Sequence, residues 1–236
     1  MKRLVALAVM ALVLATGLTA VAQDTNAAKI KEALNELGEF IGEWNGAGGP
    51  VGSTKGIWKE KIDWGWKFKG DDAWLVVKFT DGKLYKSGDL KYDPATKKYN
   101  LSLVGVDGKT REYKGEFKKS SSTLSLEGTD PDTKDTLQLV MNSAAEGVRL
   151  IYQVNRKPEG GTLVKKEYKV EASKEGQGLG KVDKKNLCVV SGGQGTSTIA
   201  YKGVNYYICC SGCRDAFNET PDKFVKEFEE KKKKMK

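Results

Sequence analysis

From residue 57 to residue 171 the hydrophobic period of this chain is two. The runs "GIWKEKIDWGWKF", "AWLVVKF", "KLYKSGDLKY", "KYNLSLVGV", "REYKGEF", "STLSLEG", "TLQLVMN", "VRLIYQVN" and "TLVKKEYKVE" alternate apolar and polar residues, as half-buried strands do. Hairpin-sized turn signals separate them: "GDD", "TDGK", "DPATKK", "VDGK", "KKSSS", "TDPDTKD", "SAAEG" and "KPEGG". Nine or ten short strands joined in this way predict an antiparallel meander. Closure into a barrel leaves no sheet edge unpaired, so the chain is expected to be mainly β, with a 9–10-stranded antiparallel barrel as its large domain.

Before the strands the period is 3.6. Residues 27–42, "AAKIKEALNELGEFIG", place Ile30, Ala33, Leu34, Leu37 and Ile41 on one helical face, with Gly42 as the expected stop. Upstream, Lys2 and Arg3 precede an apolar run from Leu4 to Leu18 and the small-residue pattern Ala20-Val21-Ala22. That order reads as a signal peptide over residues 1–22, cut after Ala22. A periplasmic or secreted protein with no membrane span is expected, with a barrel domain over residues 27–171.

Composition removes several functions. Without Lys2 and Arg3 the formal charge of +9 falls to +7, and the lysines are spread over strands and turns. The only run is the terminal "KKKKMK", a solvated tail over residues 231–236. With an exported address, nucleic acid is not an expected partner. The chain has no histidine, so the usual general base and the commonest transition-metal ligand are both missing. Asp71 with Asp72, and Asp130 with Asp132, fall in turns and read as turn formers rather than acid–base pairs. A binding protein, not an enzyme, is expected.

The stretch "LGEFIGEWNGAGG" leads the helix into Gly42-Glu43-Trp44, where Trp44 is expected to plug one barrel end. A Gly-x-Trp on the first strand resembles the start of nitrobindin-like and related lipocalin-like (calycin) barrels, over roughly residues 34–171. The resemblance implies a fold and not a function. Haem-binding members use a barrel-wall histidine that this chain lacks, so haem is not carried over. Trp58, Trp64, Trp66 and Trp74 crowd the next strands. Either they fill the core and mouth, or Trp64 and Trp66, on one strand face, line a cavity for a small apolar ligand.

Residues 172–186, rich in Gly and Lys, read as a flexible linker to a second unit over residues 187–230. That unit holds all four cysteines, spaced Cys188-x20-Cys209-x3-Cys213 with Cys210 beside Cys209. "TIAYKGVNYYICC" reads as two strands turning at Lys202-Gly203. "SGCRDAFNETPDKFVKEFEE" reads as two helices, the second capped by Thr220 with Pro221 at its first position. Cys209 and Cys210 thus end a strand and Cys213 lies in a helical first turn, where thiolates are stabilised. Convergence on one ion, structural disulfides and a Cys210–Cys213 redox pair all remain open.

The segment resembles TRASH/YHS-type domains, small treble-clef-like ββαα modules proposed to bind heavy metals. Cys188, Cys209 and Cys213 match that family's cysteine pattern. Tyr206 and Tyr207 match its aromatic lead-in, Phe217 its Cys-x3-Phe, and Pro221 with Phe224 its closing Pro-x-x-aromatic. Many relatives carry a second cysteine or a Cys-Gly-Met turn near the first position. Here Ser191 follows Cys188-Val-Val. The resemblance implies a metal ion as partner, with Cys188, Cys209 and Cys213 as ligands and Cys210 as fourth ligand or bystander. Thiolates select soft ions. Four sulfurs suit tetrahedral zinc and three suit trigonal Cu(I), so zinc or Cu(I) is the expected cofactor.

Overall fold

The computed structural model describes residues 26–175 and 186–234. The expected signal peptide, most of the expected linker and the last residues of the tail lie outside them. Ten strands follow one another: β1 (Gly42–Pro50), β2 (Trp58–Lys69), β3 (Asp72–Thr80), β4 (Tyr85–Asp93), β5 (Lys98–Gly105), β6 (Thr110–Lys118), β7 (Thr123–Thr129), β8 (Thr136–Ala144), β9 (Arg149–Lys157) and β10 (Lys165–Lys174). Each pairs antiparallel with its sequence neighbours, and β1 also pairs with β10, which closes the barrel. The period-two pattern explains the closure. Along β5 and β8 every second residue is buried, so Leu101, Leu103, Leu137, Leu139 and Met141 all point inward. Small residues on β1 make room for a large one opposite. A Cβ on Gly48 would stand 2.5 Å from the Trp58 ring, and Trp58 faces Gly48 across the β1–β2 ladder.

The interior is filled. Ile62, Trp64, Phe79, Tyr85, Leu101, Leu103, Leu139, Met141 and Tyr152 leave a cavity of about 10 Å³ between them. Glu60 lies buried toward one barrel end, where Trp58 Nε1 and Tyr152 Oη each donate to its carboxylate at 2.7 Å. Burial pushes the Glu60 pKa above its ordinary 4.5, and the two hydrogen bonds oppose that rise. Asp130, one of the expected turn formers, accepts from the backbone N–H groups of Asp132 and Thr133 and from the Arg156 guanidinium.

The opposite end is closed by the N-terminal helix, α1 (26–35), which is shorter than its periodicity predicts. After residue 35 the chain tightens into i→i+3 turns and a 3₁₀ turn at Gly38–Phe40, which swings Leu37, Phe40 and Ile41 into the barrel end. Trp44 is fully buried there and donates from Nε1 to Phe40 O at 2.9 Å. Tyr99 Oη reaches Ala33 O at 2.8 Å. Two other boundaries move as well. β10 continues to Lys174, into the expected linker, because residues 172–174 still pair with β1 and β9. The last helix continues to Lys234, past the expected end of the unit at residue 230.

The second unit comprises β11 (Ser197–Tyr201), β12 (Val204–Ile208), α2 (Ser211–Glu219) and α3 (Pro221–Lys234). The β11–β12 turn is the expected Lys202-Gly203, both at positive φ, the geometry that matches strand twist in a two-residue hairpin. This unit packs against the barrel. β2 outruns β1: the β1–β2 ladder ends at Gly42↔Trp64, so residues 65–69 pair only with β3. α2 covers that open edge. Trp66 N donates to Cys210 Sγ at 3.3 Å, and a Cβ on Gly212 would stand 1.7 Å from Trp66 O. Only glycine allows that approach. Phe68 stacks on Trp66 at 5.6 Å and meets the edge of Phe224 at 6.4 Å. Among the described residues no helix is long and apolar enough to cross a membrane.

Candidate metal centre

Three elements deliver the sulfurs. The turn at residues 188–193 folds back on itself, with Gly192 N donating to Cys188 O at 2.8 Å and Cys188 N donating to Gly193 O at 2.7 Å. Gly192 takes φ +81° to make that turn. The turn is then laid beside β12, because Val189 N donates to Tyr207 O at 2.9 Å. Cys188 thereby reaches the end of β12, where Cys209 emerges. Cys210 is the N-cap of α2, with Arg214 N donating to its carbonyl at 3.1 Å, and Cys213 stands in the first turn of that helix.

The Sγ atoms of Cys188, Cys209 and Cys213 all lie within 4.8 Å of one another, and all three residues are buried. Cys209 and Cys213 are 3.5 Å apart at sulfur. All four cysteines are free thiols. Sulfurs bonded to a single ion at about 2.3 Å stand about 3.8 Å apart, close to the spacing seen here. The three thiols lie close enough to shift one another's titration. Contacts from Cys209 and Cys213 hold the Cys188 thiol well below its usual range, and the contact with Cys188 pushes Cys209 up. Burial pushes Cys213 up as well. A proton spread over such a cluster belongs to the group and not to one residue.

Cys210 lies outside this trio. Its Sγ is 3.9 Å from that of Cys209 but is turned to the barrel, where it takes the Trp66 N–H. Trp64 lines the small interior cavity, and its indole N–H has no acceptor among the described residues. Trp66, on the same strand face, serves the junction with the second unit.

Three further residues belong to the site. Ser191 is 1% exposed, with its Oγ 3.4 Å from Cys209 Sγ. Lys31 of α1 and Lys174 of β10 are half-buried near the site, with Lys31 Nζ over the Phe224 ring at 5.7 Å and Lys174 Nζ over the Trp44 ring at 4.9 Å. Burial lowers both lysine pKa values, that of Lys174 to about 8; Glu227 at Lys31 and Glu39 at Lys174 oppose the change most, and the cysteines add a smaller opposing effect. Ser191 is visible in the sequence as the residue three after Cys188. The lysines carry no such signal, because separate elements bring them in.

No family model matches the chain, and no curated protein matches it. Among solved structures it is similar to the crystal structure of Rv2717c from M. tuberculosis, at 18% identity over 61% of this chain and 97% of that one, with a TM-score of 0.43. It is also similar to the S-type phycobiliprotein lyase CPES from Guillardia theta, at 13% identity over 60% of this chain and 92% of that one, with a TM-score of 0.38. Both are distant likenesses.

Proposed function

We propose that this chain is an exported protein that binds a soft metal ion, zinc or Cu(I), for sensing, trafficking or sequestration. The observation that carries the reading is the convergence of Cys188, Cys209 and Cys213 as buried free thiols within 4.8 Å of one another. Buried thiols at that spacing, with no disulfide among them, suit a soft ion. The resemblance of residues 187–228 to TRASH/YHS-type modules supports it, and so does a chain without histidine, which leaves thiolates as its soft ligands. The bound ion would supply a fixed positive charge that holds the three sulfurs together. Export rests on the basic, apolar and small-residue order of residues 1–22. Elemental analysis of reduced protein should give about one soft metal per chain. If a Cys209→Ser, Cys213→Ser double variant retains as much metal as the wild type, the reading fails.

A second reading is a carrier for a small apolar ligand inside the barrel. Its support is the architecture, since closed up-and-down barrels enclose ligands, together with an apolar lining that exposes the unsatisfied Trp64 N–H. The cavity of about 10 Å³ has room for roughly one water molecule, so a larger guest must displace side chains such as Phe79 or Met141. Tryptophan fluorescence titrated with small apolar ligands tests this reading. Saturable quenching that is lost on Trp64→Phe supports it, and unchanged emission counts against it.

A further inference from the structure

We propose that Ser191 holds the fourth corner of the thiol cluster and sets the site to three-sulfur coordination, which favours a monovalent soft ion over zinc. This rests on the metal-binding reading above and narrows it.

The geometry has four parts. First, the turn at residues 188–193 brings the side chains of Cys188 and Ser191, three positions apart, toward one centre. Ser191 is 1% exposed and its Oγ lies 3.4 Å from Cys209 Sγ. Second, the hydroxyl is oriented. Gly193 N donates to Ser191 Oγ at 3.2 Å, so a lone pair is occupied and the single hydroxyl hydrogen is left for the sulfurs. Third, the residue is fixed from the barrel side, because Asn35 Nδ2 of α1 donates to Ser191 O at 2.7 Å. Fourth, Cys210 is not among the three sulfurs that lie mutually within 4.8 Å: its Sγ stands 3.9 Å from that of Cys209 and takes the Trp66 N–H at the open edge of β2.

A neutral hydroxyl is a hard and weak donor toward a soft ion. At this corner it acts through its hydrogen, stabilising thiolate charge rather than adding a fourth bond. Structural zinc sites are almost always closed with four ligands, which this shell does not supply.

The test uses the full chain, reduced and free of oxygen, loaded with Zn²⁺ alone or Cu⁺ alone. X-ray absorption counts the sulfurs on each ion, and chelator competition gives the two affinities. Wild type is expected to show three sulfurs on Cu⁺. Ser191→Cys is expected to show four sulfurs on Zn²⁺ and to raise zinc affinity by about 100-fold, with Cu⁺ affinity moving less than about tenfold. Ser191→Ala, which adds no bulk and needs no new fit, is expected to weaken Cu⁺ by roughly tenfold through loss of the hydroxyl hydrogen. Cys210→Ser is expected to leave the sulfur count at three. A fourth sulfur in wild type that disappears in Cys210→Ser overturns the proposal while leaving metal binding intact. So does a zinc-to-copper affinity ratio that Ser191→Cys leaves unchanged. If wild type binds neither ion, this inference and the metal-binding reading fall together.

Discussion

At the scale of single residues, two positions are constrained by what touches them. Gly212 has no space for a side chain, since its Cβ would stand 1.7 Å from Trp66 O. Gly212→Ala is therefore expected to push α2 off β2 and to destabilise the protein by about 2 kcal/mol, some 4–8 °C in Tm, measured by calorimetry. A variant that melts with the wild type would show the contact to be slack. Glu60 is constrained by charge. Its folded pKa is raised above the unfolded 4.5 because burial disfavours the carboxylate. A raised pKa gives stability that is complete below the unfolded pKa and is lost as pH climbs through the folded one. Glu60→Gln removes that titration, so its stability relative to wild type is expected to improve from pH 4.5 upward. Denaturant midpoints of both proteins across that range provide the check. Neither constraint is written in local sequence. Gly212 sits in an ordinary helix-start context, and Glu60 sits in a strand where alternate charged residues normally face water. Ser191 was legible as a position but not as a contact, because its hydroxyl meets Cys209 only after the turn folds beside β12.

At the scale of elements, the strands were legible because each carries its own alternation and its own turn signal. The nine alternating runs became β2 to β10, the Gly-x-Trp stretch became β1, and the Lys202-Gly203 turn and the Pro221 helix start fell where expected. The end of α1 was not, because Leu37, Phe40 and Ile41 keep a helical period while the backbone tightens to bury them at the barrel end. Nor was the overhang of β2, since register with β1 is a property of two distant segments. That overhang makes a prediction about an element as a whole. A chain ending at Glu175 keeps the closed barrel but uncovers the backbone of residues 65–69 and the faces of Trp66 and Phe68. Such an edge is a template for pairing with another chain. The shortened protein is expected to self-associate in sedimentation experiments at concentrations where the full chain does not. A monomeric shortened barrel would show that the edge needs no cover.

At the scale of the whole molecule, the two units share one apolar core that runs from Leu34 and Trp44 to Phe217 and Phe224. The sequence suggests beads on a linker because composition changes sharply near residue 172, whereas the packing that joins them lies in Trp66, Gly212 and Asn35, scattered along the chain. Metal loading is therefore expected to stabilise the barrel and the cysteine unit together. At an ion concentration about 100 times the Kd the gain is about 2.7 kcal/mol, and it should appear equally in tryptophan emission and in backbone circular dichroism. Two separate transitions, with only one moved by metal, would contradict this. The strand that projects past its neighbour is also a berth, where Cys210 and Gly212 meet Trp66 and Phe224 meets Phe68. A β2–β3 hairpin cut back to Trp64 would leave the barrel closed and remove that berth, so natural variation in hairpin length would decide which barrels of this shape can carry a cysteine unit at all.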